Sequence, residues 1–320
     1  MKLGVLVFNL GGPESLRDVK PFLYRLFSDP EIIRIKWGPL RKTVAYTIAT
    51  LRRKKSEGYY RQIGGGSPLR RLTEEQAGAL ESELRNRGVD AQTFVGMCTW
   101  RPHLDEAIRR VTQAGVDRLV ILPLFPQYSF TTTRAGFAVL RRLLKQPEIK
   151  GVKTTWISTW AEHPAYIESF ALAIERELAK FPAPEKAHML FSAHSIPESY
   201  VREGDPYLEQ TKASVERIMD RLGRKNPYAL SFQSKIGPVK WLAPATNDVL
   251  IEYGRQGLSN VLVVPISFVS EHIETLYELD ILYTKVARDA GIPNFRRVPA
   301  LNSDPAFIRA LADIVQESIK

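Results

Sequence analysis

The sequence predicts an α/β protein of two domains, each a parallel sheet flanked by helices. Three observations lead there. Short apolar runs alternate with longer stretches of helical period along the whole chain. A length of 320 residues exceeds what one ordinary core accommodates and suits two domains of roughly 150 residues. A weak internal repeat sets strand ends of the first half against strand ends of the second. Gly115-Val-Asp-Arg-Leu-Val-Ile-Leu-Pro123 matches Gly257-Leu-Ser-Asn-Val-Leu-Val-Val-Pro265, and Phe8-Asn-Leu-Gly-Gly-Pro-Glu-Ser15 matches Phe191-Ser-Ala-His-Ser-Ile-Pro-Glu-Ser199 if one residue is inserted.

In chain order, the apolar runs Leu3 to Phe8, Ala91 to Met97, Leu119 to Leu122 and Thr154 to Ser158 predict four strands. Met189 to Phe191, Ala229 to Phe232, Val261 to Pro265 and Arg297 to Leu301 predict four more. Near-continuous apolar runs of this length suit strands covered on both faces. Helical period marks Thr73 to Arg87, Leu104 to Ala114, Pro164 to Lys180, Pro206 to Leu222 and Pro305 to Ile319. Asp205-Pro206 and Asp304-Pro305 each place a capping acid before a proline in the first helical turn. A division near Trp160 to Pro164 gives domains 1–160 and 161–320, with the last helix free to pack back on the first.

Cys98 is the only cysteine. One thiol makes no internal disulfide, zinc ribbon or cysteine-ligated iron-sulfur cluster, so any metal must be held by imidazole and carboxylate. No run of about 18 apolar residues occurs, and Met1-Lys2 leads straight into the first strand, so the expected location is the cytoplasm. A net charge of +10 points to an anionic partner. From Ile32 to Ser56 there is no acidic residue, while Arg34, Lys36, Arg41, Lys42, Arg52, Arg53, Lys54 and Lys55 alternate with Trp37, Leu40, Tyr46, Leu51 and other apolar side chains. Residues 32–56 therefore suit a lip that rests on an anionic membrane surface and admits an apolar ligand bearing carboxylates, or else a solvated basic helix. Nucleic acid is excluded as a partner, because no base-stacking platform or binding module accompanies the charge. Gly64-Gly-Gly-Ser67 follows, a loop suited to cradling an anion or to a sharp turn before the helix expected at Thr73, and it lacks the lysine of a phosphate-binding loop.

His194 lies beyond the carboxyl end of a strand, where parallel α/β sheets bind ligands, and an imidazole there can accept protons or bind a divalent metal. After the strand ending at Pro265 the chain reads Ser270-Glu-His-Ile-Glu-Thr-Leu-Tyr-Glu-Leu-Asp280. A helix starting near Ser270 would align Glu271, Glu274 and Glu278 within about 60° at about 100° per residue. Such an acidic stripe repels itself and asks for a compensating cation. Glu274, near His272 and facing His194 across the expected cleft, is the metal-facing carboxylate of choice. Tyr128, Trp160 and Trp241 offer flat surfaces to a flat ligand, or ordinary core.

Asn9-Leu-Gly-Gly-Pro-Glu14, Tyr60 to Leu69, Pro126 to Ser129, Phe191-Ser-Ala-His-Ser195, Gly204-Asp-Pro-Tyr207, Gln233 to Trp241 and His272 to Asp280 together resemble the ferrochelatases over essentially the whole chain. The resemblance implies two Rossmann-like domains with a porphyrin cleft between them, and insertion of ferrous iron into protoporphyrin IX with release of two protons. It implies His194 as the base that takes pyrrole protons, Glu274 and Glu278 as proton relay or metal guide, and His272 as support for Glu274. His194 and Glu274 would meet the metal. Arg52, Arg53, Tyr60, Ser67 and Ser129 would lie near the propionates or lip, and Leu10, Tyr128 and Trp241 would touch the macrocycle. Ferrous iron and porphyrin are then substrates, no cofactor is tightly bound, and no 2Fe-2S cluster is expected. Leu10 stands where some relatives acting on coproporphyrin carry a metal-ligating tyrosine, which favours the protoporphyrin branch. Cys98 and Arg101 replace the arginine and histidine of an Arg-x-x-His-Pro run common among relatives, so no role is carried over to them. The alternatives are a chelatase for coproporphyrin III or another tetrapyrrole or metal, and a non-catalytic haem or porphyrin carrier.

Overall fold

A strand covered on both faces needs a side chain that tolerates burial at every position, and Leu3-Gly-Val-Leu-Val-Phe-Asn9 supplies that: the whole of β1 (Leu3–Asn9) is buried. In the computed structural model, which describes residues 2–237 and 239–320, β1 lies between β2 (Ala91–Met97) and β3 (Arg118–Pro123), and β4 (Lys153–Trp156) pairs with β3. All are parallel, in the order β2-β1-β3-β4. The intervening chain forms α1 (Val19–Ser28), α2 (Gly38–Gln62), α3 (Leu69–Asn86), α4 (Leu104–Ala114) and α5 (Ala135–Leu143). The sheet of the second half comprises β5 (His188–His194), β6 (Tyr228–Gln233), β7 (Asn260–Val264) and β8 (Asn294–Arg297), parallel in the order β6-β5-β7-β8. Its helices are α6 (Pro164–Leu178), α7 (Glu198–Arg202), α8 (Tyr207–Arg221), α9 (Thr246–Arg255), α10 (Thr284–Asp289) and α11 (Pro305–Ile319). The chain divides into two compact units. One holds the residues up to Phe125, Ser129–Ser158 and Leu311–Lys320; the other holds Pro126–Tyr128 and Thr159–Ala310.

The two sheets share one topology, and their registers align the halves more closely than the sequence does. Gly4 of β1 faces Leu119, His188 of β5 faces Val261, and Leu119 and Val261 stand equally far past Gly115 and Gly257. Gly4 therefore corresponds to His188, and counting along both strands brings Leu10 onto His194. Pro13-Glu14-Ser15 then falls on Pro197-Glu198-Ser199 with no inserted residue, which corrects the alignment that began at Phe8 and Phe191.

Burial follows period. In α4 the inward residues Leu104, Ala107, Ile108 and Val111 repeat at helical spacing and join Leu6, Phe8, Phe94 and Phe137 in one core cluster. Gly115 takes the left-handed conformation, φ +60°, that ends α4. Asp304 caps α11 by accepting the Ala306 N–H, and Asp205 likewise accepts the Tyr207 N–H, although α8 begins at Tyr207, one residue later than expected. Three other expectations change. The helix expected at Thr73 begins at Leu69. The last strand ends at Arg297 where it was expected to begin; Val298, Ala300 and Leu301 are buried irregular chain, and an unalternating apolar run does not distinguish the two. Trp160 is core, edge-to-face with Tyr166 and tilted against Phe307.

The glycine loop is a turn docked on the chain after β1. Gly64 and Gly65 have positive φ, Ser67 N–H donates to Pro13 O at 2.7 Å, and Ser67 Oγ accepts from Leu69 N–H. A Cβ at Gly66 would stand 2.2 Å from the Glu14 carbonyl oxygen. Gly66→Ala is expected to force backbone apart and cost about 1–3 kcal/mol, read as a lower urea midpoint at unchanged slope.

Candidate active site

His194 is the last residue of β5 and pairs with Gln233, the last of β6. Its main chain is held by a closed ring: Ser267 Oγ accepts from His194 N–H at 3.3 Å, Tyr207 O–H donates to His194 O at 2.9 Å, and the two hydroxyl oxygens lie 2.5 Å apart. The imidazole Nδ1 is 2.8 Å from Glu274 Oε2. Neutral His194 then carries its hydrogen on Nδ1, donated to the carboxylate, and keeps the Nε2 lone pair as its basic site. Burial pushes the imidazole pKa down, but the charge and hydrogen bond of Glu274, with the charge of Glu278 behind them, raise it above 6.5. On Glu274 burial works upward, yet the imidazolium and its hydrogen bond, aided by His272 and Ser234, pull the carboxyl down to about 2.

Glu274 and Glu278 do not lie on an α-helix that starts at Ser270. Glu271 and His272 precede the helix, and Glu274–Tyr283 winds as a π-helix. The acidic stripe is thereby broken up. Glu271 points to Arg297 Nη1, 2.8 Å away, and also accepts Ala300 N–H. Glu278 is satisfied by hydrogen bonds where a cation was expected: Ser234 N–H at 2.9 Å, Gln233 Nε2 at 3.2 Å, Tyr283 O–H at 3.0 Å and the Ser234 hydroxyl. The Tyr283 bond depends on the winding. At about 100° per residue the fifth residue on would lie roughly 140° round the axis, whereas an i→i+5 turn brings it back to the same side. Burial and then the like charge of Glu274 raise the Glu278 carboxyl above its ordinary value, against these hydrogen bonds.

Ser234 joins the two carboxylates. Its φ of +67° turns the chain sharply out of β6 and aims Oγ at Glu274 Oε2, 2.8 Å away, and at Glu278 Oε2. One hydroxyl hydrogen serves both carboxylates best when one acid carries a proton, and the opposite shifts of the pair make Glu278 the acid that takes it more readily. Gln233, fully enclosed, accepts from Ser192 O–H and donates to Glu274 O and Glu278. His272 donates from Nδ1 to Ser270 O at 3.1 Å and influences Glu274 through space; burial lowers its pKa. Ser234, Tyr283, Tyr207 and Ser267 were missed as site residues. Ser234 and Tyr207 sat inside quoted motifs, but an α-helical phase hides Tyr283.

The remaining expected site residues are placed as follows. In the first unit, Leu10 is half-buried just past β1, Arg52 and Arg53 lie on α2 with Arg53 paired to Glu57, Tyr60 is buried, Ser67 sits in the glycine turn and Ser129 is buried beside Thr131. In the second, Tyr128 N–H donates to Gln210, and Trp241 bridges to Pro197 with its indole N–H buried and unpartnered among the described residues. Pro238 of the Gln233 to Trp241 motif and Met1 lie outside the described residues. Among the described residues no group of three or more His, Cys, Asp and Glu is placed to hold a metal ion. On this geometry Glu274→Gln should lower the His194 pKa, because it removes the main opposition to burial; an NMR titration of the His194 ring checks it.

A family model described as ferrochelatase matches residues 2–319. Ferrochelatase of Synechococcus elongatus is 50% identical over 321 aligned positions, covering 100% of this chain and 83% of that protein. Those of a Nostoc and a Synechocystis species are 51% and 49% identical, with 99% of this chain covered and 82% and 83% of theirs. The fold resembles SirB from Bacillus subtilis, solved with ferric iron, at a TM-score of 0.60 and 13% identity, over 99% of this chain and 96% of that one. SirB of the subspecies spizizenii with cobalt, a sirohydrochlorin chelatase, gives 0.57 at 11% identity, over 99% and 95%. With the family pattern running through its whole length and half its residues identical to those relatives, the chain belongs to the ferrochelatase family.

Proposed function

We propose that the chain inserts ferrous iron into protoporphyrin IX, with His194 as the base that takes the pyrrole protons and Glu274, Ser234 and Glu278 as the path that carries them away. Family membership makes it a porphyrin metal chelatase, a lyase of haem synthesis whose substrates are porphyrin and ferrous iron. The observation that carries the residue assignment is the hydrogen-bonded His194–Glu274 pair, joined by one serine hydroxyl to a second, protonatable carboxyl.

Each turnover exchanges two pyrrole N–H protons for one Fe2+. Neutral His194 accepts a proton at Nε2, and the resulting imidazolium is stabilised at once by ionised Glu274. The Nδ1 proton can pass to Glu274 and, once Glu278 has released its own proton, on through Ser234 to Glu278; the ring is then neutral with its hydrogen on Nε2, and it takes the second pyrrole proton only after that hydrogen has exchanged back to Nδ1. His194 and Glu274 are two ligand groups held side by side, enough to guide an ion that must leave with the product. Leu10, an aliphatic side chain at the place equivalent to His194, offers no metal ligand and favours the protoporphyrin branch. Arg52, Arg53 and Ser67 suit the propionates; Tyr128 and Trp241 suit the macrocycle.

Incubated anaerobically with ferrous iron and either protoporphyrin IX or coproporphyrin III, the protein is expected to give the protohaem spectrum far faster. A preference for coproporphyrin would overturn the substrate assignment. His194→Ala should abolish insertion while porphyrin still quenches protein fluorescence, and a near-normal rate in that variant would remove the proposed base. Because Glu274 raises the His194 pKa, the free base is lost as pH falls through that raised value, and the acidic limb of kcat should move to lower pH in Glu274→Gln.

A second reading concerns α2. It packs on α1 and buries little beyond Ala45, Ala49 and Tyr60, while Trp37, Leu40, Tyr46 and Leu51 are exposed, Leu51 by 77%. Large apolar side chains among cations suit peripheral contact with an anionic bilayer; among the described residues no helix is long and apolar enough to cross one. Sedimentation with anionic phospholipid vesicles should capture the protein at low salt and release it at high salt. Indifference to lipid would leave α2 an ordinary surface helix.

A further inference from the structure

Long π-helices are rare, and most π winding is a single turn inside an α-helix. The ten-residue π segment Glu274–Tyr283 therefore needs support from outside itself. Arg297 ends the edge strand β8, where it faces Val263 of β7, and its side chain is only 10% exposed. Its guanidinium grips Asp280 with two prongs, Nε to Oδ1 at 2.6 Å and Nη2 to Oδ2 at 2.7 Å. The remaining nitrogen, Nη1, reaches Glu271 Oε1 at 2.8 Å. Glu271 and Asp280 bracket the stretch that carries His272, Glu274 and Glu278. One fixed cation thus ties both ends of the carboxylate-bearing segment to the sheet. Glu274 is held by His194 near the start of the winding and Asp280 by Arg297 further along. Rewinding to an α-helix would turn Asp280 through a different angle relative to Glu274, so both bonds are met together only in the π phase.

We propose that Arg297 is a positioning residue for iron insertion: its grip on Asp280 and Glu271 keeps the segment in π winding, and so keeps Glu274 on His194 and Glu278 on Ser234. The inference rests on the proton path proposed above. Removing Arg297 alone would leave largely buried Glu271 and half-buried Asp280 without their cation and endanger folding. The test therefore uses Glu271→Gln/Asp280→Asn/Arg297→Met together, beside Arg297→Lys, which keeps the charge but loses the planar fork.

The triple variant is expected to melt close to the wild type and to keep its porphyrin KM, with kcat lowered about 10- to 100-fold, as for reacting groups displaced by about an ångström. The acidic limb of kcat should move to lower pH as Glu274 leaves His194, and amide hydrogen exchange should quicken within residues 274–283 and not elsewhere. Arg297→Lys should fall between the two. A folded triple variant with wild-type kcat and pH limb overturns the proposal, and so does a lower kcat without faster exchange in 274–283. The reading beneath it fails separately, if the wild type makes no metalloporphyrin or His194→Ala remains active, and neither result depends on Arg297.

Discussion

The bond between His194 and Glu274 is the contact on which the electrostatics at the strand ends of the second unit turn. A carboxylate and an imidazole partly withdrawn from water each lose hydration, and a close, hydrogen-bonded partner offsets that loss. The 2.8 Å contact does so, and it drives the two groups apart in proton affinity: the imidazole holds its proton more tightly, the carboxyl scarcely at all. It also fixes which ring nitrogen is free. Around it the protein spends hydroxyls instead of charges, with Tyr207 and Ser267 on the His194 main chain and Ser234 on the carboxylate.

The second carboxylate shows why the winding matters. Two ionised carboxyls this close would repel, and the structure places a single-hydrogen donor between them and a tyrosine behind the further one. That arrangement favours one proton shared along a path over a bound cation. It exists because the segment is wound with a longer period than an α-helix, which swings Tyr283 onto Glu278 and leaves Glu271 free to meet Arg297.

The two halves share a scaffold and differ in chemistry. Equivalent strands occupy equivalent places in both sheets, and Leu10 falls where the second half has His194. In the first half the strand end is used for packing: Asn9 caps the turn by accepting Leu10 N–H, and Gly12 and Gly66 allow the glycine loop to close against it. A strand end in a parallel sheet is a place where chemistry can be put, and side chains decide whether it is.

The β-α alternation, the strand cores and the place of His194 at a strand end were legible in the sequence, because apolar runs, helix caps and the ends of strands are local properties of the chain. The exact end of β8 was not, since Val298 to Leu301 is as apolar as a strand yet packs as irregular chain. Nor was the carboxylate geometry. Counting at the α-helical period grouped Glu271 with Glu274 and Glu278 and hid Tyr283, because the period itself is set by contacts with residues distant in the chain: Ser234 out of β6, Arg297 at the end of β8 and His194 at the end of β5. Local sequence determines which segments form strands and which residues can ionise. Only the packed sheet, by bringing three strand ends to one helix, decided how that helix winds and which of its acids holds a proton more readily.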